Sequence, residues 1–203
     1  MVGQPYHKYV FDVEKRKFIG RFEQMYQNED KENYDSWFQE NLSYMGKRIS
    51  LLILDRYNFN YVLDVGCGKG AFTNLLKKKN HRVVGVDISE TAIKKARAKY
   101  EDVEFMRLTA EEALNLTEAW GLIVAMEVLS YLRRWKKFLA EAAKRTSYLY
   151  LSLYIPRKPI GFVKNLSGLR NTVKKYFNIE TEIIWNKEHV FILGKSKREV
   201  KKI

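Results

Sequence analysis

Val62-Leu63-Asp64-Val65 is an apolar run interrupted by one acid, and it ends at once in Gly66-Cys67-Gly68-Lys69-Gly70. Three glycines at alternate positions let a strand turn sharply into a helix and leave backbone, not side chains, beside a ligand. This spacing points to a nucleoside cofactor bound near residues 64 to 70. From Tyr61 onward short apolar runs alternate with helix-length segments: Tyr61 to Val65, Arg82 to Asp87, Val103 to Met106, Gly121 to Met126 and Tyr148 to Tyr154. Runs separated in this way imply parallel strands joined by crossover helices.

The helices expected between the runs are Gly70 to Lys79, Glu90 to Tyr100 with Ser89 as N-cap, and Arg133 to Lys144. Pro156-Arg157-Lys158-Pro159 forces a turn, and a basic helical pattern then fills Phe162 to Phe177. Ile179 to Trp185 and His189 to Gly194 flank the polar turn Asn186-Lys187-Glu188, which predicts an antiparallel hairpin. The expected class is therefore α/β, a mostly parallel seven-stranded sheet with helices on both faces and a C-terminal antiparallel hairpin. Ahead of it no strand-like alternation of any length occurs. Trp37, Phe38, Leu42, Met45, Ile49, Leu52 and Ile53 recur at three-to-four spacing and predict one amphipathic helix over Asn33 to Tyr57. We read 1–203 as a single domain made of an N-terminal helical extension (1–58), an α/β core (59–195) and a basic tail (196–203).

No apolar run approaches the ~20 residues that cross a bilayer. Met1-Val2-Gly3-Gln4-Pro5 lacks the charged-then-apolar order of a secretory signal. A soluble, cytoplasmic protein is expected, with no membrane partner. Cys67 is the single cysteine and His7, His81 and His189 are scattered, so neither an internal disulfide nor a metal site is expected. The net charge of +13 suits a nucleic acid, an anionic substrate, a membrane surface or a merely solubilising exterior. Residues 156–203 hold twelve Lys or Arg against four Glu, so most of the surplus is C-terminal.

Two cofactor classes fit the glycine turn, because Gly66-x-Gly68-x-x-Ala71 also matches a dinucleotide fingerprint, with Asp87 ending the next strand 23 residues after Asp64. In either class the Asp87 carboxylate accepts hydrogen bonds from ribose hydroxyls; alternatively it caps the helix that follows Ser89. Asp64 separates the two. An acid just before the turn repels a pyrophosphate and suits a ligand with an amino group and a sulfonium.

Asp64-Val-Gly66-Cys-Gly68-Lys-Gly70 and Val84-Gly85-Val86-Asp87-Ile88-Ser89, in that order, resemble the first two motifs of the class I S-adenosylmethionine-dependent methyltransferases, a Rossmann-like family. The resemblance runs from about Tyr61 to Tyr154. Phe105-Met-Arg-Leu-Thr109-Ala110-Glu111-Glu112 sits where the family has an acid-containing turn beside adenine. Trp120-Gly121-Leu-Ile-Val-Ala-Met126-Glu127-Val-Leu-Ser-Tyr131-Leu132 resembles its fourth motif. The chain departs from the pattern at Thr109 and Gly121, where Asp is usual. The resemblance implies S-adenosylmethionine as cofactor and S-adenosylhomocysteine as product. It also implies a cofactor site of Asp64, Gly66, Cys67, Gly68, Gly70, Asp87, Ile88, Thr109, Ala110, Glu111 and Met126.

Segments around Phe22 to Tyr26 and Tyr34 to Trp37 are similar to those of small-molecule members, including the nodulation N-methyltransferases, and imply a lid carrying Tyr26, Tyr34 and Trp37. Methyl transfer from a sulfonium needs alignment more than acid–base help. Glu127, at the mouth of the sheet, is the first candidate for a base, with Tyr131 and His189 behind it. The chain lacks Asp-Pro-Pro-Tyr, Asn-Pro-Pro-Tyr and a cysteine pair, which removes two nucleic-acid chemistries. The first expectation is a small-molecule acceptor methylated on oxygen or nitrogen. Arg133 and Arg157, at the ligand edge of the sheet with Arg134, Lys136, Lys137 and Lys158 nearby, would suit an anionic one. The competing readings are an RNA-modifying enzyme using the basic C-terminal region, a non-catalytic cofactor-binding protein and a nicotinamide oxidoreductase.

Overall fold

In the computed structural model, which describes residues 4–77, 82–116 and 119–198, the apolar runs become strands of one sheet. Before the sheet come α1 (His7–Val10), β1 (Phe11–Asp12), β2 (Lys17–Phe18), α2 (Phe22–Glu32) and α3 (Met45–Leu54). There follow β3 (Tyr61–Val65), α4 (Ala71–Lys77), β4 (Arg82–Asp87), α5 (Glu90–Lys99), β5 (Glu104–Arg107) and α6 (Ala110–Ala113). The chain continues through β6 (Trp120–Met126), α7 (Trp135–Ala142), β7 (Thr146–Tyr154), α8 (Leu166–Tyr176), β8 (Phe177–Trp185) and β9 (His189–Ser196).

The sheet runs β5-β4-β3-β6-β7-β9-β8, with β3 to β7 parallel and β9 antiparallel to both β7 and β8. The chain lays β4 and β5 on one side of β3, then returns to add β6 and β7 on the other. The connections leaving β3 and β6 therefore diverge, which opens a crevice at the carboxyl ends of the two strands. Alternating strand residues divide between two cores, as a pleated sheet requires. Leu63, Val65, Val84, Val86, Ile123 and Leu149 pack with residues of α6, α7 and α8. Val62, Val83, Leu122, Val124 and Tyr150 pack with Ile53 and Leu54 of α3 and Phe72 and Leu76 of α4. Burying each large side chain of this kind contributes about 1.5–3 kcal/mol, so the two-sided core fixes strand register. At its centre the Tyr150 hydroxyl donates to Ser50 Oγ at 2.7 Å and anchors α3 to the sheet.

The expected architecture from Tyr61 onward is present, including the Ser89 cap, whose Oγ accepts from the Ala92 N–H at 3.1 Å. The basic helix expected from Phe162 begins later, at Leu166, after Asn165 caps it through the Gly168 N–H. The expected end of the glycine-loop helix at Lys79, the residue His81 and positions 199–203 of the basic tail lie outside the described residues.

The first sixty residues depart from expectation. The single helix over Asn33 to Tyr57 does not form; only Met45–Leu54 is α-helical there, preceded by one short 3-10 turn at Ser36–Phe38. Trp37 and Phe38 both adopt left-handed backbone, with φ of 54°. The Asp35 carboxylate takes the Glu40 N–H at 2.8 Å, closing a turn in place of a helical ladder. The three-to-four spacing thus spans two different structures, and Leu42, Met45 and Leu52 remain exposed. A small hairpin of β1 and β2 also forms where no strand was expected. Among the described residues no helix is long and apolar enough to cross a membrane.

Candidate functional site

The glycine turn is folded against Asp87. Gly66, Gly68 and Gly70 all take left-handed φ, between 54° and 79°. The Gly66 and Cys67 N–H groups donate to Val86 O, and Gly68 N–H donates to Asp87 Oδ2 at 3.0 Å. Asp87 Oδ1 accepts from the Ser89 N–H at 2.9 Å. Each Asp87 oxygen keeps lone-pair capacity toward the crevice, which suits a vicinal diol. Burial raises the Asp87 carboxyl, while its backbone donors act the other way. Gly68 suits the turn because its φ of 54° strains any other residue, and a Cβ there would also displace the Gln39 amide. Gly70 packs inward, where a Cβ would meet the Phe105 ring at 2.4 Å, and it does not line the crevice.

Asp64 stands one residue before the end of β3, buried, with Oδ2 accepting from Thr73 Oγ1 at 2.7 Å. Burial lifts its carboxyl to about 7; the Thr73 hydroxyl opposes that rise and the Asp87 charge adds to it. A cationic ligand arriving beside Asp64 would draw it back to the ionised form. Burial pushes the Cys67 thiol well above its ordinary value, helped by both aspartates, so it lines the cavity as a neutral thiol.

The segment before the sheet closes over this turn. Gln39 accepts from the Lys69 N–H at 2.6 Å and donates to the Tyr26 hydroxyl at 2.7 Å. Lys69 Nζ reaches Asp35 at 2.9 Å and Glu29 at 3.2 Å. Glu29 also takes the Ser36 N–H and Lys95 Nζ. On α2, Glu23 accepts from the hydroxyls of Ser89 and Thr91 at the start of α5. Trp37 Nε1 donates to the Tyr131 hydroxyl at 3.0 Å. Lys47, itself buried, gives Nζ to the carbonyls of Phe38, Gln39 and Asn41 at 2.6, 2.7 and 3.0 Å and so shapes the loop above the cavity.

At the end of β6, Glu127 takes left-handed backbone, φ 57°. Oε1 accepts from His189 Nε2 at 2.6 Å and from Ser152 Oγ at 2.9 Å, and Oε2 accepts from the Tyr154 N–H at 2.8 Å. These bonds hold the carboxylate at the cavity wall in a conformation that costs a non-glycine residue stability.

One cavity gathers most of the expected residues. Asp64, Gly66, Cys67, Asp87, Ile88 and Ala110 line it from the first strands, Met126, Glu127 and Tyr131 from the fourth motif, and Tyr26 and Trp37 from the lid. Gly68 does not itself line the cavity; it packs against Gln39, which does. Ile88 is 48% exposed, an uncovered apolar side chain that lines the cavity together with Leu108 and Ala110.

Other expected residues do not line it. Thr109 caps α6 in a reciprocal box with Glu112, and its hydroxyl is spent there; Glu111 is exposed. His189 stands behind Glu127, stacked on Phe191. Tyr34 donates to Met25 O inside the lid. Arg133 lies over the Phe162 ring, and Arg157 is 95% exposed beside Glu188.

Phe22, Gln39, Tyr44, Lys47 and Leu132 line the cavity without having been expected to. Gln39, Tyr44 and Lys47 fall in the stretch read as one long helix, whose periodicity gave no sign of a loop. Among the described residues no cluster of His, Cys, Asp or Glu could hold a metal ion.

Residues 62–147 match a family model described as a methyltransferase domain. The chain is 31% identical over 113 residues to a ubiquinone biosynthesis O-methyltransferase of Methylobacterium sp. (strain 4-46), covering 53% of this chain and 45% of that protein. It is 31% identical over 106 residues to a malonyl-[acyl-carrier protein] O-methyltransferase of Acetivibrio thermocellus, covering 50% and 37%. It thus spans less than half the length of these curated relatives.

Among solved structures, it superposes on the N-methyltransferase NodS of Bradyrhizobium japonicum WM9 in complex with S-adenosyl-L-homocysteine. The TM-score is 0.68 at 17% identity, covering 85% of this chain and 98% of that one. Magnesium protoporphyrin IX methyltransferase of Synechocystis PCC 6803 with bound S-adenosylmethionine gives a TM-score of 0.60 at 18% identity, covering 78% and 79%. At these identities the structures speak to the fold.

Proposed function

The chain carries a methyltransferase domain on the fold of the class I S-adenosylmethionine-dependent methyltransferases, and from that premise we propose that it transfers a methyl group to an oxygen or nitrogen of a small acceptor. The observation that carries the reading is Asp87, bonded to the Gly68 and Ser89 N–H groups at the end of β4 with lone pairs left toward the cavity. In this reading Asp87 holds the ribose hydroxyls. Ile88, Leu108 and Ala110 enclose the adenine, and Asp64 faces the cationic end of the cofactor. Gln39, Tyr26 and Trp37 close the lid formed by the residues before the sheet.

When bound, S-adenosylmethionine supplies a methyl group already activated on a sulfonium. The protein's part is to exclude water and align the acceptor, which is where most of the acceleration in such a displacement arises. Glu127 is the group at the cavity wall able to take the proton an acceptor loses, with His189, Ser152 and the Tyr154 N–H fixing its position. Tyr131, bonded to Trp37, closes the aromatic side. Arg133 and Arg157 do not line the cavity, and an anionic acceptor is not part of the proposal.

Titration calorimetry with S-adenosylmethionine, S-adenosylhomocysteine and NAD tests this. Binding of the first two with no heat from NAD is expected. Tight NAD binding with no response to S-adenosylhomocysteine would overturn it.

A further inference from the structure

The charges of the cavity wall bear on the chemistry of the acceptor. Asp64, Asp87 and Glu127 line it, and among the described lining residues Lys47 is the cation. All three hydrogens of the Lys47 ammonium are given to backbone carbonyls, so it has none for a ligand. Two of the acids are engaged by the cofactor in the reading above. The third, Glu127, holds three donors, which leaves one lone-pair direction on Oε2 beyond the Tyr154 N–H. The wall also carries the aromatic rings of Phe22, Trp37, Tyr44 and Tyr131, with Met126, Val128 and Leu132 beside Glu127.

We propose that Glu127 selects acceptors whose reacting atom carries a hydrogen, an amine or a hydroxyl on a flat apolar body, and rejects acceptors whose reacting atom is a carboxylate oxygen. The inference rests on the methyltransferase reading of the same cavity. An N–H or O–H group gives its hydrogen to Oε2. With S-adenosylmethionine bound, a lone pair of the acceptor atom would form the new bond to the methyl carbon as the carbon–sulfur bond breaks, its electron pair staying on the sulfur of the departing S-adenosylhomocysteine. The acceptor's bond to hydrogen breaks and the proton passes to the Glu127 carboxylate. A carboxylate acceptor offers no hydrogen and meets a like charge in a site of low polarity, where repulsion is far stronger than in water. His189 and Ser152 are positioning residues, holding the carboxylate so that its free lone pair faces the cavity.

The test uses the full chain saturated with S-adenosylhomocysteine and three probes of one shape: benzylamine, phenol and benzoate. Calorimetry first establishes that S-adenosylhomocysteine binds; if it does not, the methyltransferase reading itself fails and this inference with it. Ligand-observed NMR then reports each probe on the loaded protein. Benzylamine and phenol are expected to bind and benzoate is not. In Glu127→Gln, benzylamine binding is expected to weaken by about tenfold or more, as for loss of a charged hydrogen-bond partner, and the exclusion of benzoate is lifted. Benzoate binding the wild type as well as benzylamine, or no response from any probe, would overturn the inference while leaving the cofactor assignment intact. If Glu127→Gln does not fold, the wild-type comparison alone decides.

Discussion

Lys69 Nζ lies 3.2 Å from Glu29 Oε1, joining the glycine turn to the second helix of the lid through a pair almost closed to solvent. The same ammonium meets Asp35 at 2.9 Å, so one side chain of the glycine turn holds two points of the segment above it. Removing one partner of a buried pair costs up to about 3–5 kcal/mol, lessened here because Glu29 keeps Lys95 and the Ser36 N–H. Lys69→Met is therefore expected to release the lid. Hydrogen exchange across residues 22–44 should rise and affinity for S-adenosylhomocysteine should fall several-fold. Unchanged exchange in that segment would mean the lid is held by Glu23 and Gln39 without Lys69.

Asp64 makes stability depend on pH in a direction opposite to an ordinary paired acid. Its carboxyl sits at about 7 in the folded chain, against about 3.9 for an unfolded aspartate, so the folded state holds the proton longer. The stabilisation from that proton is complete below the unfolded value and is lost as pH rises through the folded one. Asp64→Asn keeps the shape without the charge. Thermal unfolding should show it gaining on the wild type as pH rises from about 4 to above 7, with little difference at the acid end. The wild type should also bind S-adenosylmethionine more tightly as pH rises through neutrality, because ionised Asp64 attracts its cationic groups. A pH-independent difference between the two proteins would contradict the assignment.

Thr109 stands where the family pattern places an acid, yet its hydroxyl accepts from the Glu112 N–H and donates to the Glu112 carboxylate. Loss of such a cap costs about 1 kcal/mol. Thr109→Ala should lower the unfolding midpoint by that equivalent and leave S-adenosylhomocysteine affinity unchanged. Weaker binding at unchanged stability would return Thr109 to the adenine pocket.

The parallel sheet, its hairpin and the turn from Asp64 to Gly70 were legible because strand periodicity and glycine spacing are local properties of the chain. Asp87 was legible as the acid that ends the next strand, whereas Ile88 was expected only from the family resemblance. The lid was not. Trp37 and Phe38 take left-handed backbone that neither residue type announces, and they are held by contacts that periodicity does not show: the Tyr131 hydroxyl for Trp37 and the Lys47 ammonium for the Phe38 carbonyl. Gln39 gave no signal, since its role depends on the Lys69 N–H and the Tyr26 hydroxyl meeting across the turn. Arg133 and Arg157 were placed by the rule that ligands gather at strand ends. The rule located the cavity, but the loops carry these side chains outward, to Phe162 and Glu188.

The most direct test of the cofactor site is S-adenosylhomocysteine calorimetry on the wild type and Asp87→Ala. Asp87 both orders the glycine turn through the Gly68 N–H and presents the remaining lone pairs that a ribose diol would take. Loss of hydrogen bonds to a charged acceptor costs about 1.5–3 kcal/mol, roughly ten- to a hundredfold in affinity. The account predicts clear binding to the wild type and a loss of at least about tenfold in the variant. Equal affinity in the two proteins would contradict it.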